Sequence, residues 1–334
     1  MRRRIFVSLS TAVLLLTLAP QPAHADRADD WRAVAQRALD RVDALDAATP
    51  TLRAFPLAFT AQATAWLSSS GWQDPAALAY LTRLYATQNP DGGYGLGYAY
   101  DAHGDGTINP ATTTYTVTLA GHVGPVLLDG MRAGVVPRAK VQQLFDLLVT
   151  SPRIDTTAGR CVAYSRNAND VKVGLCVHNV NAGTAAFLQD AGRDGFAVPW
   201  WIVQGIVQRE MSAYYSSTRF WAYRDNMAPA LQDSAHNAYD IESMYSLAYP
   251  VGYSAAYVAL TAAPDGDPNT PLVYMMLTGL PPAPTAMVGT TTVWCTLGDQ
   301  WLDEVDAYVT ANWGDVIRLA QVAYYAARDA RACD

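Results

Sequence analysis

Cys176-Val177-His178-Asn179-Val180-Asn181 and Asp233-Ser234-Ala235-His236-Asn237-Ala238-Tyr239-Asp240-Ile241-Glu242 are two versions of one pattern. In each, a His-Asn pair precedes a run of small and apolar residues that closes on a glycine, Gly192 or Gly252. Polar groups at the mouth of an otherwise buried helix are uncommon. Their recurrence points to one structural unit used repeatedly.

Asn109 supplies a third opening, before a run that reaches Gly124, so the three Asn positions stand 70 and 58 residues apart. Between them lie helical candidates at Arg138 to Thr150 and Pro199 to Met211. Upstream, Trp31, Val34, Ala35, Ala38, Leu39, Val42 and Leu45 recur at three- and four-residue steps, which predicts an amphipathic helix over Asp26 to Asp46. Phe55 to Ser69 is apolar on nearly all sides and stops at Ser70-Gly71. Asp74-Pro75 starts a third helix, with proline in its first turn. Late candidates are Tyr253 to Thr261, Gly298 to Thr310 and Asp315 to Arg331, and no convincing run of alternating strand residues occurs. Helix pairs repeating every 50 to 60 residues, roughly, stack so that each buries a face against the next. The expected fold is all-α, an (α/α) toroid of five or six repeated helical hairpins. Its inner helices would be apolar all round and its outer helices amphipathic.

Gln88-Asn89-Pro90-Asp91-Gly92-Gly93-Tyr94-Gly95 reads as a turn requiring positive φ angles. This stretch resembles the repeat of squalene-hopene-type terpenoid cyclases and their toroid relatives, in which the Gln caps a helix and the aromatic packs on the next. The resemblance covers eight residues and occurs once. It implies a toroid fold. The acidic Asp-x-Asp-Asp motif of those cyclases is absent, which removes the residues of their proton-initiated chemistry.

Residues 1–25 read as an export signal, with Arg2, Arg3 and Arg4, an apolar run from Ile5 to Leu18, and Ala23-His24-Ala25 as a cleavage site. The Arg3-Arg4 order also resembles a twin-arginine signal. Residues 26–334 would then form a single toroid domain in a secreted, extracellular protein with no later membrane span. Taking Arg2, Arg3 and Arg4 from the 23 basic residues leaves 20 against 30 acidic ones, a balance opposed to nucleic acid. An exported chain with four cysteines is expected to oxidise them. The pairing of sequence neighbours, Cys161–Cys176 and Cys295–Cys333, is favoured. A zinc site using Cys176 and His178 is the alternative, since toroid prenyltransferases and lanthionine cyclases hold zinc with such residues.

Asp101-Ala102-His103-Gly104-Asp105-Gly106-Thr107-Ile108-Asn109 resembles a calcium loop of EF-hand type, with Asp101, Asp105 and Asn109 as oxygen ligands. It departs at His103 and at Thr112, where a bidentate Glu is expected. The competing reading is a polar turn with Asn109 as N-cap and Pro110 first in the helix.

If inner helices start toward one end of a ring, their positive N-terminal ends and the residues before them line a common cleft. His178, His236, Asp233 and Asp240 are then the candidate acid, base and orienting groups. Asn179, Asn181, Asn237, Tyr164, Arg166, Trp221, Tyr223 and Arg224 are the candidate substrate-binding residues. Arginine grips carboxylates in bidentate fashion, and aromatics stack on sugar rings. Helix capping and ordinary loop packing are the structural alternatives for each. Asp240 and Glu242 are two apart on a helix and should not face the same way. The pattern suits an extracellular glycan or small-molecule substrate, cleaved by a polysaccharide lyase or a glycoside hydrolase. A secreted signalling or binding protein and a terpenoid-cyclase-like enzyme are the rivals.

Overall fold

The computed structural model describes residues 25–49, 52–214, 221–226, 234–249, 270–278, 305 and 307–333. The export segment, Asp233, Gly252, Tyr253 to Thr261 and Cys295 lie outside the described residues, as does most of Gly298 to Thr310. The chain is mostly helical. In order come α1 (Ala25–Ala48), α2 (Ala54–Leu67), α3 (Pro75–Ala86), a π-helical turn (Thr118–Val123) that runs into α4 (Gly124–Arg132), and α5 (Arg138–Val149). A hairpin of β1 (Arg153–Thr156) and β2 (Gly159–Val162) follows. Then come α6 (Ala168–Val173), α7 (His178–Arg193), α8 (Trp200–Ala213), α9 (Ser234–Ser246), α10 (Thr270–Thr278) and α11 (Val316–Cys333).

The first three helices form where periodicity puts them. The apolar stripe of α1, from Trp31 to Val42, is buried, and α1 packs along α11. In α2 ten of fourteen residues are buried, polar Thr60 and Gln62 among them. The Thr60 hydroxyl donates back to the Pro56 carbonyl at 2.7 Å, and the Gln62 amide donates to Asp129 at 2.5 Å, so neither enters the core unpaired. Asp74 caps α3, accepting from the Ala76 and Ala77 amides.

Side-by-side packing runs from α2 to the π-helical turn, on to α7, α9, α10 and α11, and from α11 back to α2. Helices α3, α5 and α8 each pack outside a member of that series: α3 on α2, α5 on α4 and α7, α8 on α7.

The Gln88–Gly95 turn folds as its composition requires. Gly92 takes φ +86°, the Asn89 amide donates to the Gly93 carbonyl at 2.8 Å, and the Gln88 side chain donates to the Gly92 carbonyl at 2.8 Å. Tyr94 is fully buried.

Three expectations need correction. Asn109 does not open a helix. It forms an isolated bridge with Tyr100, a turn at Ala111 and Thr112 follows, and Tyr115 bridges Ser165 before the helix begins. The Tyr115 and Thr116 amides donate to the carbonyls of Tyr94 and Tyr164, so this β-branched stretch finds partners across the fold before the helix starts. Gly124 lies inside the helical run and opens α4. The second correction concerns Asn179 and Asn237: both sit within the first turn of their helices and are not caps, the cap position of α7 being Val177, without a side-chain bond. The third is the hairpin, which no sequence signal marked. Its strands have four residues each, too few for a readable alternation, and are paired Arg153↔Val162 through Thr156↔Gly159.

Candidate functional site

A central cavity of about 690 Å³ is bordered by α2, the π-helical turn, α7, α9 and α11, together with the Leu96–Tyr100 loop, Tyr164 and Tyr223. Helix α9 contributes His236, Tyr239, Glu242, Ser243 and Ser246, which share one face at three- and four-residue steps. Asp240 lies on another face, fully buried, close enough to His178 to raise its basicity. The spacing argument against Asp240 and Glu242 acting together thus agrees with their placement.

Tyrosines form one margin of the cavity. Tyr98 meets Tyr100 edge to face at 6.1 Å, Tyr100 meets Tyr115 at 6.4 Å, and Tyr115 meets Tyr164 at 5.5 Å. The Tyr223 ring stands edge-on to His236 at 5.0 Å. Two devices hold this margin. The Cys161–Cys176 disulfide brackets Tyr164 and fastens β2 to the start of α7. A backbone bridge joins Val177 to Arg224, and the His178 amide donates to the Tyr223 carbonyl at 3.1 Å. Burial drives the Tyr164 hydroxyl well above the usual phenol range, reinforced by Tyr223 and Tyr100, so it stays protonated. Asn179, in the first turn of α7, borders the cavity, and its Oδ1 is buried with no hydrogen-bond partner.

His178 is placed differently. It is 2 % exposed and does not border the cavity. Its Nδ1 lies 2.8 Å from Glu210 Oε2 and its Nε2 lies 3.4 Å from Asp225 Oδ1. Burial opposes a charge on the ring, but Glu210, Asp225 and Asp240 overcome it and push the pKa up to about 10. The ring is therefore an imidazolium with both nitrogens engaged.

Several other sequence candidates serve the scaffold. Asn181 Oδ1 accepts the Val162 amide at 2.7 Å, and its Nδ2 donates to the Val177 carbonyl at 2.9 Å, locking β2 to α7. Asn237 Oδ1 accepts the Trp221 amide at 3.4 Å. Trp221 is fully buried and donates from its indole to the Glu210 carbonyl at 2.9 Å. Arg166 donates to the Leu147 carbonyl at 3.0 Å, and Arg224 to the His103 carbonyl at 2.8 Å. Of the sequence-derived substrate and acid/base candidates, the cavity brings together His236, Asn179, Tyr164 and Tyr223.

The calcium-like loop spends its ligands internally. Asp101 accepts the Asp105 and Gly106 amides, Asp105 accepts the Thr107 amide, and buried Asn109 donates to Asp170 at 2.8 Å. Among the described residues no group of three or more His, Cys, Asp or Glu is arranged to hold a metal ion. The zinc alternative for Cys176 and His178 is overturned, because the disulfide consumes the thiolate and the imidazolium has no free lone pair.

No family model, curated protein or solved structure matches this chain. The site therefore has to be read from its own residues.

Sequence reasoning passed over Glu210, Asp225 and His122. Glu210 did leave a signal: it continues the buried stripe Ile202, Val203, Ile206 and Val207 of α8, where a carboxylate needs a cationic partner. Asp225 left none. His122 sits inside the apolar run Leu119 to Val123, the setting in which an imidazole is buried.

Proposed function

We propose that this chain is an exported, glycan-active enzyme whose helices close an (α/α) toroid around the central cavity. Supporting the closure is the cyclic order of packing neighbours, α2 round to α11 and back to α2. Supporting export is the oxidised Cys161–Cys176 pair. No helix among the described residues is long and apolar enough to cross a membrane. The observation that carries the catalytic reading is that His236, Asn179, Tyr164 and Tyr223 border one tyrosine-rimmed cavity.

The chemistry these groups suit best is β-elimination from a uronate-containing polysaccharide. The Asn179 amide hydrogen-bonds the uronate carboxylate and stabilises charge developing beside it. His236 removes the proton on the carbon next to the carboxylate, and that electron pair forms the carbon–carbon double bond. The glycosidic carbon–oxygen bond breaks, and Tyr164, kept protonated by burial, returns a proton to the leaving oxygen. Hydrolysis would need two available carboxyl groups. The carboxylates bordering the cavity are otherwise occupied. Asp190 pairs with Arg132 at 2.9 Å, Glu242 pairs with Arg328 at 2.6 Å, and Asp315 caps α11.

A second reading, a terpenoid-cyclase-like enzyme, draws on the aromatic wall of Phe55, Phe59 and Tyr324 in the same cavity. The acid available to it is Glu242, whose carboxyl burial pushes upward while Arg328 pulls it back toward ionisation.

The test is turnover of uronate and neutral polysaccharides by the purified protein, following ultraviolet absorbance of unsaturated products alongside reducing ends. Absorbance that rises with reducing ends, and is lost in His236→Ala, is the expected result. Reducing ends without absorbance would replace elimination by hydrolysis, and neither signal would overturn the glycan-cleaving reading.

A further inference from the structure

The cavity wall built by α2, the π-helical turn and α11 differs chemically from the tyrosine margin. Phe55 stacks on His122 with centroids 3.8 Å apart, Phe59 stacks on Tyr324 at 4.3 Å, and Tyr239 meets His122 edge-on at 6.3 Å. All five residues border the cavity. His122 is the exception in this apolar company. It is 8 % exposed, and its Nδ1 is sealed in the wall. That leaves Nε2 as the ring nitrogen open to the cavity. His122 also lies in the π-helical turn Thr118–Val123, a rare backbone form found frequently at functional sites.

Burial holds the imidazole neutral, with its pKa pushed down to about 3 although a hydrogen bond to the Val117 backbone acts in the opposite direction. A neutral imidazole offers one donor and one acceptor. A purely apolar group filling this wall would leave the open Nε2 unanswered. A hydroxyl both donates and accepts, so it answers Nε2 in either tautomer. Flat rings suit the stacked and edge-to-face geometry of the four aromatic side chains.

We propose that this wall is a subsite for a hydroxylated aromatic ring carried on the saccharide, with the ring among Phe55, Phe59, Tyr239 and Tyr324 and its hydroxyl hydrogen-bonded to His122. The inference rests on the reading of this cavity as the saccharide site, and it narrows the substrate to glycans bearing phenolic groups.

Calorimetric titration of the purified protein with 4-hydroxyphenyl, phenyl and methyl β-D-glucopyranoside tests it. The hydroxyphenyl glucoside should bind about tenfold more tightly than the phenyl glucoside, the effect of one buried hydrogen bond. The phenyl glucoside should in turn bind more tightly than the methyl glucoside. His122→Phe should abolish the first preference and keep the second, and His122→Gln should retain part of the first. Equal affinity for the hydroxyphenyl and phenyl glucosides in the unmodified protein overturns the proposal even if both variants fail to fold. So does a preference that survives in folded His122→Phe, or no binding of any of the three. Glycan cleavage without the hydroxyl preference would remove this subsite alone. The preference without cleavage would keep the subsite and remove the enzymatic reading.

Discussion

His178 Nδ1 lies 2.8 Å from Glu210 Oε2, a buried ion pair that ties the first turn of α7 to the last turn of α8. The other ring nitrogen faces Asp225, so one imidazolium joins three segments behind the cavity margin. Its folded pKa of about 10 stands above the ordinary imidazole value of 6.5. A group raised in this direction contributes its stabilisation in full below the unfolded value and loses it as pH rises through the folded value. Stability should therefore decline between about pH 6.5 and pH 10, by a few kcal/mol on the scale of about 1.4 kcal/mol per unit. Urea unfolding at successive pH values checks this. Glu210→Gln should flatten the slope and cost about 3 kcal/mol near neutral pH, because it strips a buried charge of its partner.

The Cys161–Cys176 bond closes a 15-residue separation. Loop-closure entropy assigns such a cross-link about 3 kcal/mol. Cys161→Ala/Cys176→Ala should therefore lower the unfolding free energy by that order. Because the bond anchors the start of α7, the double variant should also weaken saccharide binding. An unchanged denaturation midpoint would mean that the hairpin and α7 are held without the cross-link.

Where local chemistry decides structure, the sequence was legible. The stripe of α1, the Asp74-Pro75 start of α3, the Gln88–Gly95 turn and the Asp315 start of α11 all sit where spacing and capping place them. The Cys161–Cys176 disulfide is the pairing of sequence neighbours favoured among the possible ones. The site was legible only in part, since burial and partners depend on which helices meet. His178 and His236 carry the same local signature. His178 falls against Glu210 of α8 and becomes structural, while His236 falls at the cavity beside Tyr223. Asn109 misled because a cap signal cannot reveal that the following threonines find backbone partners at Tyr94 and Tyr164.

That division between cavity and scaffold residues predicts opposite mutant behaviour. His236→Ala should leave the unfolding midpoint nearly unchanged and reduce turnover by at least about a hundredfold, the scale of a lost general base. Asn181→Leu should do the reverse in kind. It leaves the buried Val162 amide without its partner, at a cost of about 1–3 kcal/mol. Steady-state rates and thermal melts on the two variants separate the roles. Turnover that survives in His236→Ala would assign the base elsewhere.

The glycines offer a last test, of how the mouth of the cavity is positioned. A Cβ at Gly95 would stand 2.5 Å from the Ala111 carbonyl and 2.9 Å from that of Thr113, both backbone atoms that cannot swing aside. At Gly121, which borders the same cavity, the nearest atom would be Val117 Cγ2 at 3.9 Å, an ordinary contact. Gly95→Ala should accordingly cost about 1–3 kcal/mol through overpacking, and Gly121→Ala within about 0.5 kcal/mol. Gly95 also immediately precedes the Leu96–Tyr100 loop, so the displaced backbone would carry Tyr98 and Tyr100 with it. Saccharide affinity should fall in Gly95→Ala even at temperatures where the protein remains folded. Full affinity in folded Gly95→Ala would show that these two tyrosines do not set the binding margin, and would leave that role to Tyr164 and Tyr223, which the disulfide and the bridge between Val177 and Arg224 hold independently.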